Sequence, residues 1–387
     1  MGMTLTFVTN FVHHHQIPVA DSFYKILGDN YHYIAVEELP DWLIKGGYDS
    51  SMDRSYIIRT YQNAESMNTA RKLIDESDVV IIGSAPAEWV YRRKKENRVT
   101  FHYNERWLRF GAWRRFTPRS LQSIWKHHFR FRHSRTYMLC ASAFTSRDVH
   151  LFGCYPHKCF KWGYFTKVDE NFEVETAKQG VSTSEITPIM WCARFLKLKH
   201  PELPILLAQR LNKKGYKFRI DMFGSGEELE NIKQLIEDLG VGDCVKLCGN
   251  RPNVEILHEM RHHSVFLFTS DRNEGWGAVL NEAMANGCVP VASDAIGSVP
   301  YLIKNGENGY TFHSCDISSL ENAVCLLLDD EAKMNAMRKS ALYTMQQVWS
   351  PRVAAENFVE LAQSAVNGTL DTYTRYEGPA SWDTYFS

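Results

Sequence analysis

No stretch of about 18 consecutive apolar residues occurs, so nothing in the chain reads as a bilayer span. No Asp-x-Asp pair occurs either, and no bound metal is expected. The nine cysteines are an odd, scattered set without Cys-x-x-Cys spacing, which fits reduced thiols in a cytosol. The net charge of −1 rules out a chain acting as a global polyelectrolyte. The N-terminus, MGMTLTFVTNFV, lacks a basic start and a long apolar run. It reads as a buried strand and not as a signal peptide. The expected location is cytoplasmic, with peripheral contact to the inner face of a membrane as a further reading.

The 387 residues are enough for two domains with proper cores. The small net charge hides a polarised distribution. Between Arg92 and Arg135 fourteen Lys and Arg stand against only Glu96 and Glu105. That excess of twelve positive charges leaves the rest of the chain about equally negative. Trp107, Phe110 and Trp113 recur at intervals of three among these cations. Three readings fit: a solvated helix whose Trp residues face the core, an anionic membrane surface, or nucleic acid. No nucleic-acid module signature accompanies the segment, so no nucleic-acid partner is expected.

The chain is organised around Phe266 to Gly297, FLFTSDRNEGWGAVLNEAMANGCVPVASDAIG. Val265 to Phe268 reads as an apolar strand, Thr269 to Gly277 as a polar loop, about Ala278 to Asn286 as a helix, and Val289 to Ala292 as a second strand. This is one βαβ unit, and such units place ligands at the carboxyl ends of parallel strands. Glu274 lies in the loop and Glu282 eight positions later, in the helix. Alone, the first could be a capping acid and the second a solvated helix residue. Gly275 and Gly277 allow close backbone approach and leave N–H groups at the helix start. A carboxylate beside such groups suits vicinal hydroxyls.

With the flanking words EGWG and NEAMANGCVPVAS, the pattern resembles the retaining glycosyltransferases of family 4. That family has a Glu, seven residues, Glu signature, and the likeness is closest from about Thr187 to Phe312. The resemblance implies the GT-B fold: two Rossmann-like doubly wound α/β domains facing a deep interdomain cleft, with a C-terminal helix crossing back to the first domain. It implies residues 1–167 as an acceptor-binding domain, 168–187 as a linker, 188–350 as the nucleotide-sugar domain, and 351–387 as the returning helix and tail.

Site roles follow from the same likeness. Arg194 and Lys199, five apart after the strand PIMWCA, match the family's spacing for stabilising a diphosphate leaving group. His200 stands where the family usually has a glycine, which puts the loop's conformation in question, and Lys197 is an alternative to Lys199. Glu282 would hold ribose hydroxyls. Glu274, with the backbone of Gly275, Trp276, Gly277 and Ala278, would hold the donor sugar. Gly249 and Arg251 sit where the family places the base. Gly224-Ser225-Gly226 is only half of a dinucleotide fingerprint, because Leu229 takes the third glycine's place. NAD is therefore not expected, and the glycines serve a nucleotide or a tight turn.

In the first half, the loop after strand Leu5–Thr9 has His13, His14, His15 and Gln16 where family members often have a glycine pair. These are acceptor-side candidates or surface histidines. Arg98 to His102 reads as a strand that delivers His102, Tyr103, Asn104 and Glu105 to the same rim. His102 is read either as an active-site group or as a satisfied strand-end histidine, and Glu105 as an acceptor contact. The expected reaction moves a sugar from a nucleotide-diphosphate sugar, as co-substrate without a cofactor, to a hydroxyl of a glycan or lipid-linked acceptor, with retention. A GT-B epimerase or phosphorylase, or a non-catalytic carbohydrate- or membrane-binding protein, are the alternatives.

Overall fold

The computed structural model describes residues 2–40, 53–111, 113, 116–174 and 186–384. The chain forms two compact units, one of residues 1–167 and 348–387 and one of residues 168–347. Each is built on a parallel sheet, as the βαβ pattern predicts.

The first unit contains β1 (Leu5–Thr9), β2 (Tyr31–Ala35), β3 (Ile57–Arg59), β4 (Val79–Ile82), β5 (Thr100–Asn104), β6 (Thr136–Cys140) and β7 (Cys159–Lys161), in the order β3-β2-β1-β4-β5-β6-β7. Strand order reverses between β1 and β4, with Val8 level with Ile82. The loops after those strands therefore open at a switch point, where doubly wound sheets bind ligands. β1 and β4 are wholly buried, β4 as an unbroken apolar run and β1 with Thr6 and Thr9 among its apolar residues, as suits parallel strands covered on both faces.

The helix Pro351–Asn367 belongs to this unit. Ser350 caps its start by accepting from the Val353 N–H, and Gly368 ends it in the left-handed conformation. Its Phe358 packs edge-on to Phe23, Phe101 and Trp162, with centroids 5.0–5.5 Å away. Arg135 donates to the helix's last carbonyls, at Ala365 and Val366. The aromatic tail, which the sequence leaves unassigned, covers the edge strand β7. Trp382 forms an antiparallel bridge with Phe160, and the Asp383 N–H donates to the Cys159 carbonyl at 3.0 Å. An edge strand paired in this way offers less template for association.

The second unit contains β8 (Thr187–Cys192), β9 (Phe218–Phe223), β10 (Val245–Gly249), β11 (Val265–Phe268), β12 (Val289–Ser293) and β13 (Tyr310–Phe312), in the order β10-β9-β8-β11-β12-β13. Its switch point lies between β8 and β11, where Trp191 is level with Leu267. Its core gathers Ile189, Trp191, Leu207, Ile220, Val265 and Leu267, all nearly inaccessible. Of the stretch read as a linker, residues 175–185 lie outside the described residues. Phe172 and Val174 before it are buried with Leu342 in the second unit.

Candidate active site

At the second unit's switch point two loops are stitched together. The Trp191 indole donates to the Thr269 hydroxyl at 2.9 Å, and that hydroxyl donates to the Lys199 carbonyl at 2.6 Å. The Asp271 N–H donates to the Leu198 carbonyl at 2.9 Å. The loop after β8 is thus fixed to the loop after β11 by backbone and by one buried threonine.

On this frame Lys199 forms an ion pair with Glu274, and both side chains are largely buried. The Ser270 hydroxyl donates to the same Glu274 oxygen at 3.1 Å. His200 adopts the left-handed conformation, φ 47° and ψ 58°, which explains why a glycine suits the position elsewhere. Its ring is held at Nδ1 by Glu202 at 2.7 Å, and Nε2 lies 3.7 Å from Asp271. The Glu202 carboxylate, and secondarily Asp271, raise the His200 pKa against the opposing effect of burial.

The Gly224-Ser225-Gly226 turn has a structural partner in the Arg194 loop. The Phe195 N–H donates to the Ser225 carbonyl at 2.9 Å. At φ +129° and +155°, a Cβ on Gly224 would overlap the Ala193 carbonyl oxygen and one on Gly226 the Phe195 backbone. These glycines let β9's loop lie against the loop that carries Arg194, whose side chain is exposed.

Glu282 lies in the helix Val279–Ala285. Burial raises its carboxyl to about pKa 7, opposed only by Asn253, whose amide donates at 3.4 Å. Its neighbour at the end of β8 is Cys192, pushed up to about 12 by burial and then by the Glu282 charge, with Lys199 opposing. Trp276 is fully buried, its indole donating to Asn281 at 2.8 Å, and the Ser298 hydroxyl donates to its carbonyl at 2.6 Å. What Trp276 offers a ligand is backbone, and Gly275 beside it is buried. Gly277 has φ +79°, and a Cβ there would enter the Phe268 ring. Ala278 occupies the N-cap position without a side-chain capping bond. Gly249, the last residue of β10, and Arg251 just after it are exposed, with Arg251 3.6 Å from Glu255. Sequence reasoning missed Thr269, Ser270, Cys192 and Asn253; none has a motif, and only the strand-to-loop boundaries point to them.

The first unit has its own pocket, of about 490 Å³, at the ends of its strands. His13, His15, Gln16, Glu105, Arg109 and Tyr164 line it. Gln16 is held by the Tyr33 hydroxyl at 2.7 Å, and the His15 ring lies parallel to Tyr164 at 6.1 Å. Burial, then the neighbouring imidazoles, lower His13 to about pKa 4 and His15 to about 3. His14 lies against His15, rings tilted by 50° with centroids 3.7 Å apart, and does not line the pocket; burial lowers its pKa too. Glu105 accepts from Arg109 at 2.5 Å and from the Tyr164 hydroxyl at 2.7 Å.

His102 is placed differently from the sequence expectation. β5 starts and ends two residues later than read, so His102 is mid-strand, level with Ile82, and not at the rim. It is 3% exposed, with Lys94 Nζ 3.3 Å from its Nε2. His128, at the end of the helix Pro118–His127, lines the pocket instead, its Nδ1 2.6 Å from the Tyr155 hydroxyl.

The basic segment is likewise not one face. Arg93 is inaccessible and donates to the carbonyls of Ile74, Ser77 and Val99. Lys94 is buried, Arg106 pairs with Asp148 at 3.4 Å, and Trp107 joins the core with Met138 and Val149. Trp113 and Trp125 point outward, 71% and 55% exposed.

Residues 176–342 match the family described as Glycosyl transferases group 1. The chain is 30% identical over 153 residues to the poly(glycerol-phosphate) alpha-glucosyltransferase of Bacillus subtilis, covering 40% of this chain and 22% of that one. It is 27% identical over 180 residues to the amylovoran biosynthesis glycosyltransferase AmsK of Erwinia amylovora, covering 45% and 44%. The matched segments thus span less than half of those relatives' own length. The fold is similar along nearly the whole chain to Anabaena HepE in complex with UDP, with TM-score 0.66, 14% identity, and 96% and 100% coverage. The lipopolysaccharide outer core galactosyltransferase WaaB matches as well, with TM-score 0.66, 15% identity, and 95% and 99% coverage. The second unit is thus similar to the glycosyl transferases group 1 over residues 176–342, and the chain has the GT-B fold.

Proposed function

We propose that this protein transfers a sugar from a nucleotide-diphosphate sugar to a hydroxyl of a glycan or lipid-linked acceptor, with retention at the anomeric carbon. The observation that carries this reading is the Lys199–Glu274 ion pair between the loops after β8 and β11, with Glu282 in the helix that follows the Glu274 loop, all in the unit that matches the family. Arg194 and Lys199 take the negative charge that develops on the departing diphosphate, the step at which fixed cations accelerate most. Glu282 holds the ribose, and Glu274 with the backbone from Gly275 to Ala278 holds the sugar. Lys199 becomes available to phosphate when the donor replaces it as Glu274's partner. UDP is the first nucleotide to test, since HepE is described in complex with UDP and with UDP-glucose.

The first unit's pocket takes the acceptor, with His15, Gln16 and Glu105 in contact. The outward face of the helix Pro118–His127 docks on an anionic membrane surface, supported by exposed Trp125 beside Arg119, Lys126 and Arg130. Among the described residues no helix is long and apolar enough to cross a membrane.

Incubation with UDP-, GDP- and ADP-sugars, with and without hydroxylated acceptors, tests the reading by nucleotide diphosphate release and by NMR of the product anomer. Acceptor-dependent release with retention, surviving EDTA, is expected. Release of diphosphate and free sugar derivatives without an acceptor would favour an epimerase instead.

A further inference from the structure

The first unit's pocket has cationic side chains in its lining, yet they are already matched. Arg106 lies 3.4 Å from the buried Asp148, whose other bond is from the Leu108 N–H at 2.8 Å. Arg109 is bound to Glu105 at 2.5 Å and lies over the Phe110 ring, 4.4 Å from its centroid. His13 and His15 are held uncharged at neutral pH, because burial lowers them to about 4 and 3. An anionic ligand would thus meet no uncommitted charge from these groups.

Glu105 faces the same space as a carboxylate with capacity to spare. One oxygen accepts from Tyr164 and the other from Arg109. An ionised carboxylate has about four lone-pair sites, so acceptor positions remain for ligand hydroxyls. Tyr103, Trp107 and Tyr164 line the same pocket. Rings beside hydroxyl acceptors suit the C–H faces and hydroxyls of a pyranose, and the volume is in the range of small-molecule sites.

We propose that this pocket takes an uncharged sugar residue and that Glu105 excludes uronic acids and sugar phosphates. The inference rests on the reading of the pocket as the acceptor site and names the acceptor's class. A phosphate or carboxylate entering here lies against Glu105 in a partly desolvated space, and it has to share Arg109 with the carboxylate that already pairs with it. Specificity then comes from a repulsive element as much as from an attractive one.

The test uses the full chain. Methyl glucoside, galactoside and mannoside are compared with glucuronate and glucose 6-phosphate by saturation-transfer NMR and calorimetry at neutral pH. The best neutral glycoside should bind about tenfold or more tightly than either anion, less than a bare like charge near contact would give, because Arg109 offsets part of the Glu105 charge. Glu105→Gln should release Arg109 and close most of that gap. Tyr164→Phe, which removes a hydrogen bond but keeps the charge, should leave the gap in place. Anions binding as well as neutral sugars, a gap unchanged in Glu105→Gln, or no sugar binding at all would each overturn the proposal. The same samples are titrated with UDP, GDP and ADP. Nucleotide binding without sugar binding removes this proposal and leaves the donor reading standing; sugar binding without nucleotide binding does the reverse.

Discussion

Lys199 and Glu274 reach each other from two different loops, one after β8 and one after β11, and close an ion pair at the switch point of the second sheet. Neither side chain is open enough for the pair to be a surface accident. Removing one partner leaves the other charge largely buried and unmatched, which costs more than the pair itself contributes. Lys199→Ala should therefore lower turnover by about 10²-fold or more and also weaken binding of free nucleotide diphosphate. Arg194→Ala should cut turnover by a similar factor with little effect on stability, since that side chain is exposed. Steady-state release assays and thermal melts on both variants check this. Unchanged turnover in a folded Arg194→Ala protein would remove Arg194 from the site.

Glu282 sets a pH dependence whose sign can be worked out. Its folded pKa, about 7, lies above the ordinary 4.5, so the folded state holds more protons than the unfolded state between those values. Stability from this group is full below the unfolded pKa and is lost as pH rises through 7. Glu282→Gln should thus stabilise the unliganded protein at pH 8, by up to about 3 kcal/mol, and change little at pH 4. Free nucleotide affinity should behave oppositely in the wild type, rising above pH 7 where the carboxylate accepts from ribose hydroxyls. Glu282→Gln should flatten that profile, whereas Glu274→Ala should reduce turnover more than nucleotide affinity. Calorimetry at pH 6 and 8 separates the two; equal losses of nucleotide affinity in both variants would contradict the division of roles.

His200 gives a second test. A non-glycine residue in the left-handed region costs about 1–2 kcal/mol, and His200→Gly relieves that while losing the contacts to Glu202 and Asp271. The His200 pKa is raised in the folded state, so its ionic contribution is complete below the ordinary value of 6.5 and is lost as pH rises through the folded value. His200→Gly should therefore be less stable than wild type at pH 5.5 and equal or more stable at pH 9. Denaturant melts at the two pH values measure it, and a difference that does not change with pH would show that the carboxylate contacts contribute nothing.

The second unit was readable because its signals are local. Glu274 and Glu282 share one loop and helix, and Arg194 and Lys199 share one loop, so chain spacing nearly fixes their placement. The left-handed His200 was the one departure in that loop, and it keeps the backbone that a glycine would adopt. The first unit depends on non-local facts. His102 and Tyr103 differ by one residue, but a strand turns alternate side chains to opposite faces. Tyr103 lines the pocket while His102 goes to Lys94. Arg93 and Lys94 look like part of a solvated basic run. Their burial follows from what packs over the helix Tyr91–Lys95, including the carbonyl ends of Ile74 and Ser77, which no local pattern displays.

The burial of those cations redraws the membrane test. Arg109 is committed to Glu105, while Arg114 and Arg115 lie outside the described residues. The exposed set sits on and just after the helix Pro118–His127. Leu121 and Trp125 are 39% and 55% exposed on one face, while Ile124 and His127 are buried on the other. Arg119, Lys126 and Arg130 flank that apolar face, and the Arg130 guanidinium lies 5.5 Å from the Trp125 ring centroid. An indole among cations suits the headgroup layer, where each base adds about 1 kcal/mol near an anionic surface. Reversing Arg119, Lys126 and Arg130 to Glu should lower partitioning onto phosphatidylglycerol vesicles by about 10²-fold or more. Trp125→Ala should weaken it less, and its effect should persist at high salt. Binding by the wild type should fall as the Debye length shortens from ~10 Å at 0.1 M to ~3 Å at 1 M. Nucleotide binding should be unchanged in the triple variant, because those three residues belong to the first unit and the donor site is assigned to the second. Vesicle sedimentation with neutral and anionic lipid, at both salt concentrations, gives the answer. Equal, negligible sedimentation on both lipids would leave this face as solvated surface.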